Sequence, residues 1–201
     1  MSSNLSSVSM SEVERGDPKR AAVLAAAEGV FGRYGFQKTS MEAVAKAAGI
    51  SRPGLYLIFP NKEQLYRATM QGVMERAQLA MEACFADGTL SFPERLVAAL
   101  DALMGPYVET QVARDLAELL ENSGPQLGSM FGDYQERARA TISDRIDALA
   151  PAGLLDRGRT AHDVMDLLFS AGLTWKSTAT DRDDFRDRVR RAVALICADP
   201  T

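Results

Sequence analysis

The stretch from residue 36 to residue 62, FQKTSMEAVAKAAGISRPGLYLIFPNK, limits what this chain can fold into more than any other. Two short helical segments are joined by a tight glycine turn at Gly49. The second opens with Ser51-Arg52, ends at Leu55-Tyr56-x-x-Phe59, and is followed by Lys62. That is the layout of a helix-turn-helix, in which one helix is offered to the DNA major groove while flanking residues hold the backbone.

The rest of the chain predicts helices and little else. Period-two alternation is absent, and apolar residues recur at helical spacing. Asp17-Pro18 opens the first helix, since a proline in the first turn costs no amide donor. Val23, Ala27, Val30, Phe31 and Tyr34 share one face, and Gly35 ends the helix. Thr39-x-x-Glu42 is expected to cap the second helix, whose inner face is Met41, Val44, Ala45 and Ala48. Ser51 caps the third, with Leu55, Ile58 and Phe59 inward. Asn61-x-x-Gln64 caps a long helix reaching about Phe85, and another begins near Phe92-Pro93. Gly105-Pro106 breaks that helix and starts the next. Ser123-Gly124-Pro125 precedes a long helix ending near Pro151, Thr160-x-x-Asp163 caps one reaching about Thr180, and Asp183 opens the last, ending at Ala198-Asp199-Pro200. The expected fold is all-α, with about nine helices: a three-helix head carrying the helix-turn-helix, then a larger helical bundle. The expected boundaries are a disordered arm over 1–16, a DNA-binding head over 17–66 and a body over 67–201.

Composition bears on function once it is divided. The 201 residues carry a net charge of −4. Residues 1–66 hold eight Lys/Arg against six Asp/Glu, and residues 67–201 fifteen against twenty-one. A mildly basic head on an acidic body suits a nucleic-acid reader better than the average does. No run of about 18 apolar residues occurs, so no membrane span is expected. The Ser-rich start has no apolar segment that would act as a secretion signal, Met10 is an alternative start to Met1, and a cytoplasmic location is expected. Cys84 and Cys197 form no metal-ligand spacing and are expected to be reduced thiols. The one histidine, His162, falls in the first turn of a capped helix. With no phosphate-cradling glycine loop and no metal motif, neither an enzyme nor a bound cofactor or metal is expected.

The outward face of the third helix carries the chemistry. At 100° per residue, Pro53 and Leu57 point away from Leu55, Ile58 and Phe59, with Gly54 and Tyr56 on the flanks. Gly54 lets the backbone approach DNA. Arg52 can fork onto guanine O6 and N7, or bind phosphate, and Leu57 can touch a thymine methyl. Tyr56, Thr39, Ser40, Ser51 and Lys62 are placed to hold phosphates, and Lys46 either adds a contact or is simply solvated. With Pro53, Leu57 and Ile58 offering no polar group, readout is expected to lean on Arg52, apolar contact and DNA shape.

These residues resemble the TetR/AcrR family of bacterial transcriptional regulators. The resemblance rests on Phe31, Gly35-Phe36, Thr39-Ser40-Met41, Val44-Ala45, Ala48-Gly49-Ile50-Ser51, Leu55-Tyr56, Phe59, Lys62 and Leu65, over roughly residues 18–66. It implies a ligand-responsive repressor, binding a palindromic duplex operator as a homodimer and released by a small-molecule effector in the body. The body matches the family by architecture, not by motif. Met70, Met74 and Met81, then Leu103, Met104 and Tyr107, then Met130, Phe131 and Tyr134, and finally Phe169 and Trp175, are either a packed core or the lining of an effector cavity for a hydrophobic or aromatic molecule. Two further stripes, Val164, Leu168, Ala171 and Trp175, and Phe185, Val189, Ala192, Val193 and Ile196, suit a four-helix contact between two subunits, with burial inside one subunit as the rival reading.

Overall fold

The computed structural model describes residues 17–108, 129–155 and 158–197, and every regular element within them is helical. The helices are α1 (Pro18–Lys38), α2 (Met41–Ala47), α3 (Arg52–Ile58), α4 (Lys62–Ala86), α5 (Phe92–Met104), α6 (Ser129–Leu149), α7 (Ala161–Thr178) and α8 (Arg182–Cys197). Gly105–Tyr107 adds a single 3-10 turn after α5. The all-α expectation holds. The helix expected to start at Gly105-Pro106 falls mainly on 109–128, and the arm on 1–16; both lie outside the described residues. The chain divides into two compact units, Met1–Met70 and Gln71–Thr201.

In the first unit the short helices are fixed by their ends. The Ser51 hydroxyl accepts from the Gly54 amide at 3.1 Å, as its position predicts, and Asn61 accepts from the Gln64 amide at 2.8 Å. The cap of α2 is Ser40, not Thr39: the Ser40 hydroxyl accepts from the Ala43 amide at 3.1 Å. Thr39 is buried and donates to the Gly35 carbonyl at 2.6 Å instead. Gly35 does interrupt α1, with φ 72 and ψ 174, a conformation open essentially to glycine alone, but helical residues resume up to Lys38. Tyr34, expected inward, is exposed, because this break comes directly after it. Gly49 sits at φ 66. Its amide bonds the Lys46 carbonyl while the Ile50 amide reaches back to Ala45, so the left-handed residue satisfies the last carbonyls of α2 before the chain turns into α3. Phe31, Phe36 and Tyr66 pack ring on ring beneath, with centroids 4.9 Å and 5.0 Å from Tyr66. Val23, Ala27, Val44, Leu55, Phe59 and Leu65 complete that core.

In the second unit α8 packs chiefly on α5, and α7 on α6 and α8. Thr160 and Asp163 form the expected capping box for α7. Ser91 and Glu94 form another for α5, one absent from the sequence-based expectations. Gly172 of α7 lies so close to Met104 that a Cβ there would stand 2.8 Å from its sulfur. Among the described residues, one carboxylate is buried in this core. Asp101 is buried on α5, where Arg182 reaches it twice, at 3.0 and 2.9 Å, and Arg186 once, at 2.5 Å. Burial pushes the Asp101 pKa up, but hydrogen bonds and charge from the two arginines outweigh it and hold the carboxyl below its ordinary range.

The stripes expected at a subunit contact are largely covered within the chain. Val164, Leu168, Phe185, Val189, Val193 and Ile196 are buried within the single chain, in the same cluster as Met81, Leu100 and Leu103. Their apolar faces are consumed by their own subunit. Ala171, Trp175 and Ala192 are half-buried, and the large apolar groups left exposed on these helices are Leu167, 60% exposed, and Leu195, 80%. Periodicity showed the apolar stripe correctly but not which chain covers it.

Candidate nucleic-acid interface

α3 presents two opposite faces. Leu55 and Phe59 are buried, whereas Arg52, Pro53, Tyr56 and Leu57 are exposed, with Leu57 at 88%. A leucine this bare has no role in the core of its own unit. The ring of Tyr56 lies one helical turn from Arg52, whose guanidinium carbon is 5.7 Å from the ring centroid. A hydrogen bond to Tyr56 raises the Arg52 pKa further, so the guanidinium stays charged while its stem is oriented along the exposed face. Gly54 is half-buried and faces the Ser51 hydroxyl, where an added Cβ would meet oxygen at 3.1 Å. Its smallness therefore serves the cap of α3 as well as any close approach by a ligand.

The remaining candidates separate. Ser40 and Lys46 are exposed on the same unit, as a phosphate contact requires. Ser51 is exposed, but its hydroxyl is engaged as a cap. Thr39 is 3% exposed and its hydroxyl is spent on the Gly35 carbonyl, so it has no donor to offer a phosphate. Lys62 is likewise turned inward: its ammonium donates to the Phe36, Thr39 and Gln37 carbonyls at 2.9, 3.1 and 3.4 Å. Arg20, which the sequence does not single out, covers the face of Phe59 at 4.6 Å and holds the end of α3 against α1. Arg20 and Phe59 lie 39 residues apart, a pairing that no local spacing reveals.

Residues 23–80 match the family of bacterial regulatory proteins of the tetR type. The head of this chain, residues 23–80, carries the TetR-family signature. Over 57 residues it is 39% identical to the HTH-type transcriptional regulator RutR of Escherichia coli (strain K12), which is 28% of this chain and 27% of that regulator. The shared stretch thus spans little more than a quarter of RutR. The HTH-type transcriptional regulator EthR of Mycobacterium tuberculosis (strain ATCC 25618 / H37Rv) is similar over more of the chain, 22% identical over 154 residues, covering 76% of this chain and 71% of EthR. Among solved structures, a TetR-family regulator from Mesorhizobium loti superposes with a TM-score of 0.70 at 19% identity, covering 89% of this chain and 94% of the other. At that identity the likeness speaks for the fold alone. The family signature therefore lies over α1 to α4, the helices that carry the exposed face of α3.

In the body, Met81, Leu103, Met104 and Phe169 are members of one packed cluster, with Tyr134 and Trp175 against its edge. Met70, Met74 and Phe131 are buried, while Met130 and Tyr107 are half-buried. Burial pushes the Tyr134 hydroxyl pKa upward, and Tyr107 adds to the rise, so the phenol stays protonated. Among the described residues no helix is long and apolar enough to cross a membrane, and no cluster of three metal-ligating side chains occurs.

Proposed function

We propose that this chain is a repressor that binds a palindromic duplex operator as a homodimer and is released by a small hydrophobic or aromatic effector held in the body. A cytoplasmic location belongs to the same reading, and catalysis has no part in it. The observation that carries it is the exposed face of α3. Arg52 supplies the one forked donor there, Leu57 and Pro53 an apolar surface, and Tyr56 a hydroxyl at the flank. In the major groove that set suits a guanine beside a thymine methyl, with DNA shape supplying the rest. Ser40 and Lys46 are the phosphate contacts in this reading.

The dimer face proposed for α7 and α8 is the outer one, around Leu167, Ala171, Trp175 and Leu195, rather than the buried stripes. A two-fold axis would set two copies of α3 about 34–36 Å apart or further and require an inverted repeat. α4 is one helix whose first turn lies in the first unit and whose last lies in the second. An effector that shifts it would alter the spacing of the two reading helices. About 1.4 kcal/mol of differential effector affinity gives a tenfold change in operator binding.

The test is selection of duplexes from a random pool by the purified full chain, followed by sequencing and a gel shift. Enrichment of an inverted repeat, bound with a steep dependence on salt, is the expected result. A chain that enriches nothing at low ionic strength would defeat the proposal.

A further inference from the structure

Lys62 is the first residue of α4, and its position in the motif predicts an ammonium directed at phosphate. The geometry assigns it elsewhere. Lys62 is a positioning residue that clasps the end of α1 and thereby sets the seat of α2 and α3. This inference rests on the DNA-reading function proposed above and deepens it.

A lysine ammonium has three protons to give and accepts nothing. Here three carbonyls receive them: Phe36 at 2.9 Å, Thr39 at 3.1 Å and Gln37 at 3.4 Å. These are carbonyls at the end of a helix, where the i→i+4 ladder runs out and the helix dipole is negative. The same nitrogen lies 4.3 Å from the centroid of the Phe36 ring, so the ring face adds a fourth attraction. Reaching a phosphate would mean giving up a bond already made.

The clasped segment leads directly to the reading helix. The Thr39 amide bonds the Phe36 carbonyl at 3.3 Å, and the Thr39 hydroxyl is tied to Gly35 at 2.6 Å. Ser40, the next residue, caps α2, and α2 passes through the Gly49 turn into α3. Phe36 is also packed against Tyr66, a centroid distance of 5.0 Å away. Removing the ammonium frees the segment from which α2 starts. It also takes one donor from each of the Phe36, Gln37 and Thr39 carbonyls, although no phosphate contact has been removed.

Salt dependence separates the two roles. A phosphate contact adds about 0.9 to the slope of log affinity against log salt, so a dimer losing one per subunit flattens by about 1.8. A positioning residue leaves the slope unchanged and lowers affinity by a constant factor. The experiment uses the full chain and the duplex that the wild type enriches from a random pool, with affinity followed by fluorescence anisotropy between 50 and 300 mM NaCl (about the range over which such slopes are resolved). Lys62→Met is expected to bind about tenfold more weakly at every salt concentration with the wild-type slope, as the loss of a charged hydrogen-bond cluster implies. Lys62→Arg is also expected to bind more weakly, because a planar fork does not match three converging carbonyls. A flattened slope for Lys62→Met, with Lys62→Arg at wild-type affinity, would overturn the clasp in favour of a phosphate contact.

A second measurement needs no variant to fold. Trace acetylation of the DNA-free wild type, read by mass spectrometry, should label Lys62 several-fold more slowly than the exposed Lys19 and Lys46. Lys62 labelled as fast as Lys46, and shielded only once duplex is added, would also overturn the proposal. A wild type that binds no duplex at all ends the DNA-reading proposal instead, and the acetylation pattern still decides whether Lys62 is held.

Discussion

The two units differ in the partners their best-placed cations meet. In the first, Arg20, Arg52 and Lys62 lie over the rings of Phe59, Tyr56 and Phe36, and Lys62 adds three backbone carbonyls. In the second, carboxylates enter as partners: Arg182 and Arg186 meet Asp101, Arg188 Asp184, Arg190 Asp187 and Arg139 Asp166, although Arg139 also covers the Phe169 ring and Arg95 and Arg159 reach backbone carbonyls. The difference has a physical sense. A ring or a carbonyl orients a cation without neutralising it, so a unit built this way keeps its positive field for a polyanion. A carboxylate partner cancels the charge, which suits a body that carries more acids than bases.

The strongest consequence lies in the body. Asp101→Ala leaves two arginines facing a buried site with no anion, and should cost about 3 kcal/mol. That figure sits at the low end for a buried pair, since Arg182 and Arg186 remain partly open to water. Urea unfolding followed by circular dichroism measures it, and a loss below about 1 kcal/mol would mean that the body does not depend on this pairing. The same carboxyl predicts a pH effect. Because its folded pKa is lowered, its contribution is complete above the unfolded carboxylate value and disappears as pH falls through the folded one. Wild type should therefore lose its stability advantage over Asp101→Asn below about pH 4.

Next comes the head. Gly35→Ala forces a side chain onto φ 72 and ψ 174 and should cost about 2 kcal/mol, read as the lower melting temperature of the full chain's first transition. An unchanged melting profile would show that the break in α1 is not set by this residue.

Arg52→Ala tests whether a cation lying over a ring still reads bases. Stability should stay within about 0.5 kcal/mol, while discrimination between the selected duplex and a scrambled one falls by about 1–2 kcal/mol per half-site. Preserved discrimination in a gel-shift competition would move sequence reading to Leu57 and DNA shape.

The weakest consequence returns to the body. Asp187 and Arg190 are both exposed, so Asp187→Asn should change stability by no more than about 0.5 kcal/mol. A larger change would blur the contrast between the buried pairing at Asp101 and the solvated pairs.

What the sequence disclosed follows the range of the interactions involved. The helix-turn-helix was legible because Ser51, Gly49, Leu55 and Phe59 act on neighbours within a turn or two. The Thr160 box was legible for the same reason. Thr39 passes for the α2 cap in the sequence because it and Ser40 are adjacent and of the same chemistry; only the burial of Thr39 and its bond to Gly35 separate them. The roles of Lys62 and Arg20 were hidden because their partners lie 23–26 and 39 residues away, and three of them are backbone carbonyls that carry no signature in a sequence. Asp101 reads as a stray acid in an apolar helix until α8 brings Arg182 and Arg186 to it from 81 and 85 residues on. The apolar stripes of α7 and α8 were visible, but a period of 3.6 reports which face is apolar, not whether its cover comes from the same chain.

The decisive experiment is a competition gel shift of the full chain, wild type beside Arg52→Ala, on the duplex recovered by selection. The exposed face of α3 predicts that wild type retains an inverted repeat against excess scrambled DNA, weakening steeply as salt rises, and that Arg52→Ala binds both duplexes nearly alike. A wild type that prefers neither duplex at low salt would contradict it.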